Sequence, residues 1–444
     1  MFSKKVFVFL LVVALGSAWP ASAQDGSSPA AQTAAITPEQ FRQLLSELHA
    51  NEAKVKELET ALAAKNSPSM PTPTTSTVSP VEPAPAASVP VAPVQPQEQA
   101  EPHEHTMQMP AGGPVLKIRG FADFDLGFGH DSNALVFPLG APTHTTFQFG
   151  EFDLFLSSKL SKSISFISEI VYGSDHTNQW ALDIERLQVG YKPSRYFEIS
   201  GGRYHTSIGY YNTTFHHGTW FQTATGRPFM YFFEDSGGLL PVHGLGVTTT
   251  GLVPGTGRLG LHWVAEISNG RSSDPNAQPV QNYLSDKNHK AFNLAAFVKP
   301  EWVQGLQVGG SFYRDRMVPA GMQDVDQSIG SFYVVYTNSN WESLNEIVIL
   351  DNHAVGATKT FHSPLGYTQI SRKFGNFRPY YRFQYVNVAA GDPINIFTGR
   401  YESHSGGLRM DFTDYVALKI QYNRLYQRMV APENGLDLQM AFTF

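Results

Sequence analysis

From Val115 onward the sequence consists of short runs in which apolar and polar side chains alternate, and no helical period interrupts them. In "VLKIRGFADFDLGF", Leu116, Ile118, Ala122, Phe124, Leu126 and Phe128 share one face, while Lys117, Arg119, Asp123 and Asp125 share the other. "EFDLFLSSKL", "SISFISEIVYG", "GSFYVVYT", "PYYRFQYVNV" and "YVALKIQYN" repeat the pattern. So does the final "LDLQMAFTF", which aligns Leu436, Leu438, Met440, Phe442 and Phe444. Such strands suit a soluble sandwich as well as a membrane barrel, so the rest of the chain must discriminate.

The N-terminal stretch indicates the destination. "MFSKKVFVFLLVVALGSAWPASAQ" places Lys4 and Lys5 before an apolar run from Val6 to Leu15 and ends on Ala21-Ser22-Ala23. This is the tripartite pattern of a secretory signal peptide over residues 1–23, with cleavage expected before Gln24. The apolar run is too short to span a bilayer, and no later stretch reaches the ~18 uninterrupted apolar residues of a membrane helix. The 444 residues contain no Cys, so neither disulfides nor a lipidated cysteine are available. A net charge of -6 without a basic domain argues against nucleic acid as a partner.

Two segments precede the alternating region. Residues 36–65 repeat in sevens, with Phe41, Leu48, Val55 and Leu62 at a and Leu44, Asn51, Leu58 and Lys65 at d. Thr37, Pro38 and Gln40 sign the start of a helix there. Its narrow apolar stripe predicts a coiled coil between copies of the chain. Residues 66–114 are rich in proline among Ala, Val, Ser and Thr, which predicts an extended spacer without a core. Within it "HEHTMQM" offers His103 and His105 beside Met107 and Met109, donors that suit copper-like ions, although solvated linker histidines are the simpler reading. The adjacent His216 and His217 cannot both face one ion from a strand. No cofactor is expected.

The breaks between alternating runs decide the fold class. Short turns at Ser161 to Ser163, Pro193 to Arg195, Pro254 to Gly257, Pro300 to Gln304, Thr337 to Asn340, Gly375 to Asn376 and Thr413 to Asp414 alternate with longer polar loops. An up-and-down barrel in an outer membrane has this asymmetry. About sixteen strands fit over residues 115–444, giving an all-β transmembrane antiparallel barrel. In lipid no backbone edge can stay unpaired, so "LDLQMAFTF" is expected to pair with "VLKIRGFADFDLGF".

The terminal alternation ending in Phe444 resembles the carboxyl-terminal strand signal of Gram-negative outer-membrane barrels. With a coiled coil ahead of a sixteen-stranded barrel, the chain further resembles the DcaP-like porins and, more loosely, the phosphate-selective porins. The resemblance implies a homotrimer in the outer membrane, lipid and lipopolysaccharide around it, recognition by the barrel assembly machinery, and a periplasmic N-terminal segment. It also implies a third outer loop that narrows the channel. By strand count that loop runs from Tyr204 to Gly244, and its aromatic content predicts burial, in the lumen or, alternatively, against a neighbouring copy in the trimer.

Parity assigns the lumen-facing side chains. If Tyr381, Phe383 and Tyr385 face lipid, Arg382 faces inward, as do Arg409 and Lys419, with Lys117 and Arg119 brought near by closure. These five form a basic wall, and the loop brings Arg227, Glu234 and Asp235. Opposed charges across a constriction would create a transverse field. The alternative is ordinary ion pairing with Asp411, Glu151 or Asp153, and inward acids at Asp123, Asp125 and Glu169 argue against strong anion selectivity. A porin for passive diffusion of small hydrophilic solutes is the expected function. The rival is a structural protein that tethers the membrane to peptidoglycan through the coiled coil. An enzyme would need a positioned nucleophile and base, and no motif singles any out.

Overall fold

A computed structural model describes residues 113–128, 145–174, 180–215, 218–234, 237–272, 284–285, 287–319, 322–395, 399–428 and 430–444. The signal peptide, the coiled coil, nearly all of the spacer with His103 and His105, the His216-His217 pair and Asp235 lie outside the described residues.

Sixteen strands follow one another in sequence. They are β1 (Leu116–Phe128), β2 (Thr146–Lys159), β3 (Ile164–Ser174), β4 (Trp180–Ser194), β5 (Phe197–His205), β6 (His243–Leu252), β7 (Leu261–Ser268) and β8 (Ala291–Val298). Then come β9 (Leu306–Met317), β10 (Val325–Thr337), β11 (Trp341–Ala354), β12 (Thr360–Arg372), β13 (Phe377–Asn387), β14 (Arg400–Asp411), β15 (Val416–Gln427) and β16 (Glu433–Thr443). Each pairs antiparallel with its neighbours, and β1 pairs with β16, so the sheet is a closed barrel. All seven short turns read from the sequence join strands at one end, hereafter the turn end.

Closure joins the two strands that were expected to pair, in a register that sets Phe121 opposite Thr443 and Phe128 opposite Leu436. Beyond the paired ladder, Gly120 and Phe444 exchange backbone hydrogen bonds of 2.9 and 3.0 Å. The Phe444 ring lies over Gly120, where an added Cβ would sit 2.1 Å from the ring, and packs 5.9 Å from the Phe152 ring. The absence of a side chain at Gly120 thus makes room for the aromatic cap of the seam.

Two environments result from the period of two. Leu116, Phe149 and Leu294 are more than half exposed on the outside, whereas Asp125, Glu346 and Gln439 are buried inside. An apolar exterior around a polar interior is the inverse of a soluble barrel and matches the outer-membrane type. A register shift between β3 and β4 at Glu169/Ile170 lets the consecutive Glu185 and Arg186 both serve the inner side.

Gly120→Val is expected to push the Phe444 ring off the seam and to remove most of the species that migrates fast on an unheated gel. Combining it with Phe444→Ala should restore part of that species; no change in Gly120→Val alone would show that the seam tolerates a side chain.

Candidate functional site: a loop docked on the inner wall

The longest described connection joins β5 to β6, over residues 206–242. It is shorter than the expected Tyr204 to Gly244, because both flanking strands extend into it. It holds the one-turn helix α1 (Tyr211–Thr214) and two 3-10 turns, Thr219–Phe221 and Phe229–Tyr231.

Apolar burial does most to place the loop. Ile208, Tyr211, Phe229, Met230, Tyr231, Leu239 and Leu240 enter one core with inward residues such as Ile329, Leu344, Val348, Leu365 and Val386. Burying one such side chain contributes about 1.5–3 kcal/mol before entropy. A single neutral hydrogen bond contributes a net ~0.5–1.5 kcal/mol. The loop is therefore held to the β9–β15 wall chiefly by its greasy side, and the polar contacts determine its register on that wall.

Glu346 of β11 is the densest of those contacts. It accepts hydrogen bonds from the Tyr210 and Tyr211 backbone N–H groups (2.6 and 2.9 Å), from the Tyr231 hydroxyl (2.8 Å) and from the Tyr367 hydroxyl (2.7 Å). The chain approaches so closely that a Cβ at Gly209, which has φ 76°, would lie 2.4 Å from the carboxylate. Gln384 accepts from Phe229 N–H at 2.8 Å, and Glu342 from the Thr223 hydroxyl at 3.1 Å. Glu266 accepts from Ser207 N–H and Oγ, and Arg271 donates to the Leu239 and Gly238 carbonyls at 2.9 and 3.1 Å.

The basic residues chosen by parity do face inward. Arg382 donates to Gly226 O (3.0 Å) and to Gln369 Oε1 (2.8 Å). Arg409 donates to Trp220 O (2.6 Å) and Gln222 O (3.0 Å) while its Nε meets Asp411 at 2.7 Å. Lys419 donates to Thr219 O at 2.5 Å and to Gln439 Oε1 at 2.8 Å. All three are buried beneath the loop and bind its carbonyls. Lys117 and Arg119 are placed differently: they are exposed and line a cavity of 360 Å³ with Arg186, Asp153 and Glu169.

The loop charges are also engaged. Arg227 donates to Tyr231 O at 2.6 Å, with its guanidinium 4.1 Å from the Phe233 ring centroid and 5.6 Å from that of Tyr211. Glu234 accepts from His243 N–H (2.9 Å) and faces His243 Nδ1 at 3.1 Å, and His243 Nε2 is 2.5 Å from Glu185. Burial pushes the Glu234 carboxyl up, but charge and hydrogen bonding from His243 outweigh it and leave the group below its ordinary value of 4.5.

A second cavity of 550 Å³ lies between loop and wall, lined by Trp220, Trp341, Lys373, Arg378, Asp411 and Asp414. Thr214 and Phe221 of the loop border both cavities, and both open among turn-end residues. Among the described residues no group of His, Asp or Glu is arranged to hold a metal ion. Sequence reasoning did not single out Glu346, Glu342, Gln384, Glu266 or Arg271. Parity marks the four that lie on strands as inward, whereas Arg271 sits in the connection after β7, and nothing local says which inward groups a distant loop will meet.

The closed sixteen-stranded antiparallel barrel is a fold shared with solved outer-membrane channels. Among solved structures the chain is similar to OmpF of Salmonella typhi, in complex with daunomycin, with a TM-score of 0.52, 12% identity and 75% of this chain over 98% of that one. It is similar also to the outer membrane channel DcaP of Acinetobacter baumannii, at 0.51 and 11% over 75% and 98%. An anion-selective porin from Comamonas acidovorans scores 0.50 at 9%, over 74% and 100%. No protein-family model matches the chain, and no curated protein sequence does.

Glu346→Ala should free the Tyr210 and Tyr211 amides without undocking the apolar side of the loop. The expected result is an intact barrel with noisier single-channel current and conductance raised up to about twofold; a trace identical to wild type would remove Glu346 from the latch. The Glu234 clamp has a depressed pKa, so its contribution is present above the unfolded value of 4.5 and is lost as pH falls through the lower folded value. Channel noise should accordingly stay flat from neutral pH to about 4.5 and rise below it, and Glu234→Gln should show the acid behaviour at pH 7.

Proposed function

We propose that the chain is an outer-membrane porin, a channel rather than an enzyme, through which small hydrophilic solutes diffuse passively. The observation that supports this reading best is the pairing of an apolar exterior with a charged interior in which a long loop is docked while charged side chains beside it stay exposed. Sealing such a barrel would be simpler with an apolar core throughout; retaining exposed Lys117, Arg119 and Thr214 around turn-end cavities serves passage of water and solute.

In this reading the short turns face the periplasm and the N-terminal segment with them. The third loop narrows the passage, and Arg227 and Glu234 act through its shape rather than by facing solute. Arg382, Arg409 and Lys419 give the constriction its basic character from beneath, and Lys117 and Arg119 set the charge of the periplasmic vestibule. Three copies assemble into a trimer, as the porin fold suggests. Lipid, the barrel assembly machinery and peptidoglycan are the further partners.

Planar-bilayer recording tests the proposal: stable ohmic openings support a porin. A silent barrel whose loss loosens the envelope would instead support the tether reading. Replacing both Lys117 and Arg119 by Glu should shift the reversal potential in a salt gradient toward cation selectivity while conductance changes less than twofold. Arg382→Ala or Arg409→Ala should lower the anion-to-cation permeability ratio, and unchanged reversal potentials would take these residues out of the filter. Liposome swelling with sugars, dicarboxylates and phosphate then ranks the solutes.

A further inference from the structure

The outer surface of β13–β15 is apolar toward the turn end and polar toward the loop end, where Arg400 and Glu402 pair with each other just beyond His404. His404 and Arg424 are cross-strand partners on this face, and one step toward the turn end Gly406 pairs with Tyr381 on one side and Tyr422 on the other. A Cβ at Gly406 would meet nothing within 4 Å, so the glycine leaves an open notch between two exposed tyrosines. The Tyr381 hydroxyl bonds His404 Nδ1 at 2.6 Å, and the Tyr422 hydroxyl bonds Asn434 at 2.6 Å, which ties both rings toward the loop end. Below the notch the face continues as Leu408, Ile420, Met410 and Leu418.

Arg424 is exposed, stacks over the Tyr426 ring at 5.3 Å, and takes part in no ion pair among the described residues. Arg372, which likewise takes part in no ion pair among the described residues, stacks on Trp341 and Phe374 at the turn end, and the other outward arginines on strands nearer the loop end are paired. Arg314 and Arg316 share Asp326, and Arg400 pairs with Glu402. Its height matters as well. From Tyr415, exposed beside the turn, the strand climbs roughly 23 Å to Arg424, taking about 3.3 Å per residue and a tilt of about 40°, close to the ~25 Å of an apolar band. Arg424 thus reaches the opposite interface, where lipid headgroups lie.

The geometry points to a lipid site: the notch at Gly406 receives an acyl chain between Tyr381 and Tyr422, and Arg424 with His404 binds the phosphorylated headgroup of the same lipid at the loop end. An unpaired guanidinium beside an imidazole matches a phosphate in charge and donor geometry. Aromatic side chains at the interface position the glycerol or sugar level of a lipid. The notch and the apolar face below it suit an acyl chain and Arg424 above them suits an anionic headgroup, so a phosphorylated lipid is the occupant that apolar surface and charge select together. The inference rests on the membrane reading above, and on nothing about the pore.

Native mass spectrometry of the purified, folded protein in detergent tests it, with bisphosphorylated lipid A and its dephosphorylated form as probes. Wild type should retain the bisphosphorylated lipid and at least fivefold less of the dephosphorylated one. Arg424→Gln should lower retention about fivefold, and Gly406→Leu, which keeps every charge and fills the notch, should lower it similarly. Heat-dependent gel mobility shows that each variant is folded. Equal retention by Arg424→Gln, or equal retention of the two lipids, would overturn the site. So would an Arg424→Gln variant whose only defect is loss of oligomer, because the face would then be a contact between copies. A polypeptide that stays monodisperse without detergent would overturn the membrane reading itself, a result distinct from a detergent-soluble barrel that binds no lipid.

Discussion

Every feature of this molecule depends on the cost of an unpaired backbone amide in hydrocarbon. A spanning sheet with an edge would leave a row of such groups unsatisfied, at several kcal/mol each. β1 must therefore meet β16, and the Gly120–Phe444 hydrogen bonds extend that meeting beyond the last ladder pair. Closure in turn divides all side chains between lipid and lumen, because the strand period of two allows no third option. The lumen's polarity is thus a consequence of sealing the outside.

Given a polar lumen, an aromatic loop poses a problem that the interior solves locally. The inner wall is not uniform: Ile329, Leu344, Val348, Leu365 and Val386 make an apolar strip along β10–β13, and the loop's own apolar residues bury against it. Around that strip Glu346, Gln384, Arg382, Arg409 and Lys419 meet the loop backbone, satisfying amides and carbonyls that a compact irregular segment cannot pair internally. Lumenal charges consequently serve two ends. Those under the loop hold it, and those at the turn end, Lys117 and Arg119, stand exposed beside a cavity.

Much of the fold was legible because its determinants are local. Alternation gave the strands and their faces, and Pro, Gly, Asn and Ser clusters gave the seven turns. The expected partners of the closing strand followed from the edge argument. The inward direction of Arg382, Arg409 and Lys419 was legible by parity alone. Their partners were not, since Arg382 meets Gly226 and Arg409 meets Trp220 across more than 150 positions of chain. Nor could the Glu234–His243–Glu185 cluster be read, because it depends on a strand bulge that brings Glu185 to the lumen.

The amino-acid sequence by itself determined that the chain is a barrel of about sixteen strands with one face for lipid, because a period of two and the position of turn residues act within a few neighbours. Only the tertiary structure decided where the long loop lies, which inward charges its carbonyls occupy, and that an unpaired arginine stands over a glycine notch on the outside. Those outcomes depend on which side chains closure brings within 3 Å of one another, and that distance is a property of the whole cylinder rather than of any strand.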